Sequence, residues 1–456
     1  IKGLEPQIPD LRQRIDHIFQ HQLYGIAITE LTSLLSRRGV YCSKYPNSIY
    51  SVTTFNDAQG NIRFKHVSHQ WKNGSCVFCG ASQVKLDRDV ALETHAYELI
   101  HTLRPEEIFK MKFDVIISNP PYQLATGGGT DEKKSATQAK PIYNLFIEQA
   151  KKLNPRFISM IIPARWYSGG MGLNQFRRDM LNEKHIVKLV DYINSKDCFQ
   201  GVDIAGGVCY FLWDRDHVSN ECEIVNYSGD SVTSSKRALN EFTTIFVRSN
   251  DAIKIIDKVI KQTSHFMDEI VSPIDTFGIP SKEKGHQIKQ IGDISLLHSV
   301  GYNDQGESFI SRDSIKKNRQ YIDKYKVKIS IMVPQGGEVG IKPENGYRSI
   351  STPQILPPGQ VDTFSYLNLG FFDTKEEAEN LVSYVNCKFT RYLIRTTYSS
   401  VHVSKDNFKF VPLVDLKRSW TDEALYSLFG LSNDEVILIE KTMRPMNSVS
   451  GEDNAN

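Results

Sequence analysis

Phe113, Val115, Ile116 and Ile117 form a short apolar run that stops at Asn119-Pro120-Pro121-Tyr122. The run is β-branched and aromatic and too short for a helix, so it predicts a strand buried on both faces. Pro120 and Pro121 end it, because neither donates a ladder hydrogen bond and each restricts the residue before it. Upstream, Ile8, Leu11, Ile15, Ile18 and Phe19 follow a helical period after Pro9. A short strand over 23–28 and a helix ending at Gly39 come next, an early βα unit of the same sheet. A helix over 89–103 precedes the central strand. After it, PIYNLFIEQAKKL places Ile142, Leu145, Phe146, Gln149 and Leu153 along one face, with Pro141 in the first turn. Strands over 157–162, 185–193 and 208–213, with a helix over 173–182, complete an alternating series that predicts an α/β, doubly wound sheet.

From about Gly229 the alternation weakens. A helix over 251–261, a Pro- and Gly-punctuated stretch to about Gly301, a basic helix with a following strand, and a long helix from Thr374 predict a second, α+β body over 229–420. Thr374 with Glu377 reads as a capping box, and so does Ser432 with Glu435 in a helical segment over 421–446. The tail over 447–456 is expected to be disordered. Residues 1–228 are the first body, with a polar, loop-rich insertion at 41–82.

Composition narrows the function classes only slightly. Lys and Arg total 55 against 53 Asp and Glu, so a basic surface must be local. The run from Arg312 to Lys328 holds seven Lys or Arg with Tyr321 and Tyr325 interleaved, which reads as a nucleic-acid stripe or as a solvated face. No apolar run reaches bilayer length and no secretory h-region opens the chain, so the expectation is a cytoplasmic protein with no membrane partner. The first residue is Ile1 rather than Met, which we read as a chain beginning inside a longer reading frame.

Seven cysteines, an odd number, argue against a disulfide framework. Cys76 and Cys79 form a C-x-x-C followed by Gly80, a knuckle that lets two thiolates close on one metal. Cys42 and His69 complete a tetrahedral set for structural Zn2+, with His66 competing for the histidine place. A redox pair or plain packing are the alternatives. Gly127 to Gly129 lack the G-K-[ST] ending of a phosphate loop, so residues around them read as a lid or substrate-strand loop.

The Asn-Pro-Pro-Tyr turn carries a specific chemistry. An exocyclic amine on a base is a poor nucleophile because its lone pair is delocalised into the ring. Two acceptors aimed at its N–H bonds favour the pyramidal form and release that lone pair. Asn119 offers a side-chain carbonyl, Pro120 a backbone carbonyl, and Tyr122 a ring face for a flipped base, while Pro121 stiffens the turn.

FDVIISNPPYQ, the later IIPARWYSGG, and DCFQGVDIAGGVCYFLWDRD resemble the fourth, sixth and eighth motifs of gamma-class methyltransferases acting at N6 of DNA adenine. In particular they resemble the methylase and target-recognition part of type IIG restriction-modification enzymes. The resemblance covers roughly residues 20–225. It implies a Rossmann-like methyltransferase sheet whose N-terminal part is incomplete, since the family's glycine-rich first motif is absent from these residues. It makes Asn119, Pro120, Pro121 and Tyr122 catalytic and Phe199 a second aromatic against the flipped adenine. It also assigns S-adenosylmethionine to Gly25, Ile26, Glu30 and Asn119, with Glu30 standing in where LYGIAITE has Ala27. The second body becomes a DNA target-recognition domain, in which FKFVPL (408–413) resembles a common segment. Double-stranded DNA is the implied partner, with a nuclease or helicase domain or subunit of the same system. Two other classes stay open: a catalytically inactive DNA-binding specificity remnant, and an RNA or protein N-methyltransferase.

Overall fold

The computed structural model describes all residues except 87–95, 125–139, 168–171, 205, 230, 243–244, 301–304, 333–345, 399–401 and 447–456. The expected glycine loop at 127–129 and the expected disordered tail lie outside the described residues. The chain divides into two compact units, Ile1–Ile158 and Ser159–Asn456.

In the first unit α1 (Leu11–His21) starts where Asp10 accepts a hydrogen bond from the Gln13 amide, the N-cap that satisfies an otherwise orphaned donor. The strand expected over 23–28 is reduced to β1 (Gly25–Ile26), paired in parallel with β2 (Ile62–Arg63). Helix α2 (Glu30–Tyr41) opens with a Thr29/Thr32 capping box and runs past Gly39, ending at Cys42 in a left-handed conformation with φ 61°. A tight hairpin, β3 (Trp71–Lys72) with β4 (Ser75–Cys76), lies in the polar insertion, and Ser75 also bridges to Ser82. The helix expected over 89–103 is not α-helical where it is described: Ala96 bridges to Val67 and Glu98–Ile100 form a single 3-10 turn.

The central run becomes β5 (Val115–Ser118). It is not buried on both faces, since Val115 is 50% and Ile117 79% exposed. A β-branched run states a preference for extended backbone and leaves open which face is covered. Its entry is anchored by Phe113, whose ring packs edge-on to Tyr24 at 5.8 Å and Phe109 at 5.6 Å. The Phe157 amide donates to the Asp114 carbonyl at 2.8 Å. Helix α3 (Tyr143–Lys152) buries Phe146 and Gln149 as its period predicts, whereas Pro141 lies outside it, bridged to Gln123.

In the second unit β6 (Phe157–Pro163), α4 (Asn174–Leu181), β7 (Ile186–Tyr192) and β8 (Val208–Asp214) fall within a residue or two of expectation. β9 (Glu221–Ser228) and β10 (Ser231–Ala238) follow, and these five strands lie in the order β10-β9-β7-β8-β6. β7 runs parallel to β9 and antiparallel to β8. The alternating parallel pattern breaks there because the connection from β7 to β8 shows only a 3-10 turn, Ser195–Asp197, among its described residues, and a chain without a crossover helix returns antiparallel. The result is a mixed α/β fold with a multi-strand sheet. Arg248 Nε and Nη2 donate to the two carboxylate oxygens of buried Asp191 at 2.9 and 2.7 Å, pinning the centre of this sheet.

Beyond it come α5 (Ile253–Gln262), β11 (Asp293–Ser299), β12 (Gln305–Ser311), β13 (Tyr325–Ser330), β14 (Gln354–Leu356), β15 (Gln360–Asp362) and β16 (Tyr366–Phe372). The six strands make two three-stranded sheets, β12-β11-β15 and β14-β13-β16. Helices α6 (Lys375–Asn386), α7 (Lys388–Thr396), α8 (Asp422–Leu428) and α9 (Asn433–Thr442) carry the expected caps at Thr374 and Ser432. Leu381, Tyr384 and Val385 of α6 share one core with Leu367 and Leu369 of β16. The basic helix expected after residue 312 is instead two 3-10 turns, Arg312–Ser314 and Arg319–Tyr321, separated by Asn318 at φ 51°, a left-handed residue that no α-helix accommodates.

Candidate active site and metal centre

Asn119 follows directly on the carboxyl end of β5, where open α/β sheets place their ligands. It is exposed, Pro120 is buried, and Tyr122 is half-buried. The turn is held from both sides of its exit: the Ile142 amide donates to the Tyr122 carbonyl at 3.2 Å, and the Leu124 amide donates to the Lys140 carbonyl at 3.0 Å. Two prolines and two ladder bonds therefore fix the backbone while the Asn119 carboxamide faces outward.

Gly25 and Ile26 form β1, where the Gly25 amide donates to Asn61 and the Ala27 amide to Arg63. Glu30 is exposed at the first turn of α2. Phe199 belongs to the second unit, at the carboxyl end of β7. Its amide donates to Ser195 at 2.7 Å, and Ser195 Oγ donates to the Val202 carbonyl and accepts from the Ile204 amide, so the ring sits half-buried on a braced loop.

The cysteine-histidine expectation changes by one ligand. The ligand atoms of His69, Cys76, Cys79 and His101 all lie within 4.8 Å of one another. Cys42 is not among them. It is exposed at the end of α2, its backbone closing that helix in a left-handed turn. His66 is exposed and also outside the group, which leaves His69 as the upstream histidine. His101, beyond the insertion expected at 41–82, supplies the fourth atom.

Local structure explains the convergence. The Cys76 amide donates to Ala81, and the Gly80 amide to Cys76 at 2.9 Å, closing the knuckle around Gly80 at φ 69°. His101 Nδ1 lies 2.8 Å from the Tyr97 carbonyl, which makes Nδ1 the donor and leaves Nε2 as a bare acceptor. Nε2 is buried and has no hydrogen-bond partner among the described residues. A carbonyl that fixes one ring nitrogen and aims the other is the pattern of a metal-bound imidazole. Burial lowers the His101 pKa, opposed by the Tyr97 carbonyl and assisted by His69, so the ring stays neutral. Burial, then the charge of Cys76, pushes the Cys79 thiol up to about 12. Burial would raise Cys76 too, but the amides of Cys79 and Phe78 bring it below its ordinary value. One thiolate-prone sulfur beside a buried thiol and two imidazoles is a donor set that suits a soft or borderline divalent metal.

The sequence reading missed His101 because its stretch, YELIHTL, reads as helix. The usable signal was chemical: a C-x-x-C needs two more N or S donors, and His95 and His101 are the next two histidines after Cys79.

The family model for the Eco57I restriction-modification methylase matches residues 21–199. An uncharacterized adenine-specific methylase of Mycoplasma pneumoniae is 34% identical over 265 residues, 52% of this chain and 62% of that relative. The matched part thus spans less than two thirds of the relative's length. Among solved structures, a nuclease-deletion mutant of the Type ISP restriction-modification enzyme LlaGI in complex with a DNA substrate mimic is similar over 89% of this chain and 42% of its own, at 10% identity and TM-score 0.44. The type IIG restriction endonuclease BpuSI is similar over 72% of this chain and 50% of its own, at 12% identity and TM-score 0.30. The stretch that matches the Eco57I restriction-modification methylase model, residues 21–199, holds the Asn-Pro-Pro-Tyr turn and all four clustered ligands.

Proposed function

We propose that the chain is the methyl-transferring part of a site-specific DNA adenine methyltransferase, modifying N6 of a flipped adenine within a restriction-modification system. The observation that carries this is the turn after β5, with Asn119 exposed and its backbone held through Tyr122 and Leu124. Asn119 Oδ1 and the Pro120 carbonyl accept the two N–H bonds of the adenine amine, draw it toward the pyramidal form and so make its lone pair available. Tyr122 offers the ring face on which the base stacks. No strong general base is needed, because the proton is lost from a cationic product amine that solvent can deprotonate.

S-adenosylmethionine, when bound, supplies an electrophilic methyl group on a sulfonium. The exposed Glu30 carboxylate suits its ribose hydroxyls, and the strand residues Gly25–Ile26 lie four to five residues before it. A structural Zn2+ belongs to the same reading. The orphaned His101 Nε2 and the two sulfurs fit it, and His69, Cys76, Cys79 and His101 would hold it. Residues 229–420 are the proposed target-recognition domain, with double-stranded DNA as partner and a nuclease or helicase of the same system as a further one.

The test is transfer of label from S-adenosylmethionine to duplex DNA, by this chain and by the chain extended upstream along its reading frame. Label on N6-methyladenine is expected. Label confined to RNA or protein would replace this reading with the corresponding N-methyltransferase.

A further inference from the structure

We propose that the His69–Cys76–Cys79–His101 metal centre is the positioning device of the Asn119–Tyr122 turn, so that metal occupancy sets the geometry in which the target amine is held. The proposal rests on the methyl-transfer reading for its functional half and on geometry alone for its structural half.

The physical link is short. Cys76 and Cys79 are buried in a small apolar cluster with Ala81, Ile100, Ile142 and Phe146, and Leu124 packs against it. Ile142 and Leu124 are the residues whose amides make the two bonds that hold the exit of the turn, to Tyr122 and Lys140. The Lys140 side chain crosses Gly80 of the knuckle so closely that a Cβ there would collide with its ammonium. The segment around His101 is tied to the same helix, because Gln149 Nε2 donates to the Leu99 and Thr102 carbonyls at 2.8 and 2.7 Å. Metal ligands, knuckle, α3 and the catalytic turn thus form one continuous body within the first unit.

Energetic reasoning says why a metal is needed there. Six buried residues make too small a core to order a hairpin and two loop ends against chain entropy. Small cores of this size are held by staples, of which metal coordination is one. Without metal, the His101 Nε2 acceptor is buried with no partner among the described residues and two thiols crowd it, so the ligand loops separate. The loosening then reaches Ile142 and Leu124 before it reaches anything outside the cluster.

The experiment measures zinc content and backbone amide exchange of the purified chain before and after treatment with a zinc chelator, and again after zinc is restored. About one zinc per chain is expected. On its removal, exchange at Leu124 and Ile142 rises at least about tenfold, while amides of α9 are unchanged, and zinc reverses the effect. His101→Ala reproduces the metal-free pattern; Cys42→Ser does not. Loss of zinc with unchanged exchange at Leu124 and Ile142 overturns the proposal, as does exchange that rises equally throughout the chain, or the absence of any bound metal. In a form that methylates DNA, metal removal lowers kcat at least about tenfold with KM for S-adenosylmethionine little changed. A local exchange change in a chain that never methylates DNA upholds the coupling and removes the methyl-transfer reading instead.

Discussion

The segment from His69 to His101 and the segment from Arg312 to Lys328 look alike in one respect: each concentrates residue types that bind something. They differ in what those residues are already doing. In the first, four ligand atoms converge and His101 Nε2 is buried with no partner among the described residues. In the second, Arg312 pairs with Asp323, Lys317 with Asp275, Arg319 with Asp313 and Lys324 with Asp373. Lys326 is fully buried and donates to the Ile322 and Lys324 carbonyls, and the Lys328 ammonium lies 3.5 Å from the Tyr366 ring centroid. Lys316 is exposed and outside these pairs. Chemistry at a site requires groups whose best partner is absent, and the first segment supplies one that is buried among other ligand atoms.

That contrast can be broken at several points. The largest effect is expected at the turn itself: Asn119→Ala removes one of two amine acceptors and should lower kcat about 100- to 1000-fold, read as labelled methyl transfer to DNA with unchanged DNA affinity. Next, His101→Ala should abolish stoichiometric zinc while Cys42→Ser retains it, measured by metal analysis. Retained zinc in His101→Ala with loss in Cys42→Ser would restore the ligand set expected from sequence.

A pH dependence distinguishes the basic run. Burial pulls the Lys326 ammonium down to about 8 from 10.5, partly countered by Asp362 and Asp323. Between those values the unfolded chain binds a proton that the folded chain does not, so stability rises with pH from about 8 toward 10.5. The expected contribution is on the order of 1 kcal/mol per pH unit, seen in urea unfolding between pH 7.5 and 9.5. Lys326→Met should flatten that slope; an unchanged slope would show that Lys326 keeps its proton when folded. The smallest effect concerns nucleic acid. Replacing Arg312, Lys317, Arg319 and Lys324 together by Ala should change the salt slope of DNA binding by less than about one. A drop near four would mean that phosphates displace the aspartates.

Sequence and structure agree where a residue's own backbone preference or period decides the outcome. The caps at Thr374 and Ser432, the buried face of α3 and the extents of β6, β7 and β8 were legible for that reason. The turn at Asn119–Tyr122 was legible because two prolines write their own geometry. What failed depended on partners distant in sequence. The exposure of Ile117 is decided by what covers β5, the antiparallel entry of β8 by the path of the loop before it, and the pairing of Lys317 and Lys324 by Asp275 and Asp373. His101 was hidden in the same way, its role set by a carbonyl at Tyr97 and sulfurs across a hairpin.

The central claim is that Asn119 and Pro120 present an adenine amine for methylation. Its most direct test is nucleoside analysis of duplex DNA after incubation with labelled S-adenosylmethionine and this chain, alone and extended upstream, each beside its Asn119→Ala variant. The account predicts N6-methyladenine from the wild-type residue and its near loss in the variant. Methyl groups on cytosine, or equal transfer by the Asn119→Ala variant, would contradict it.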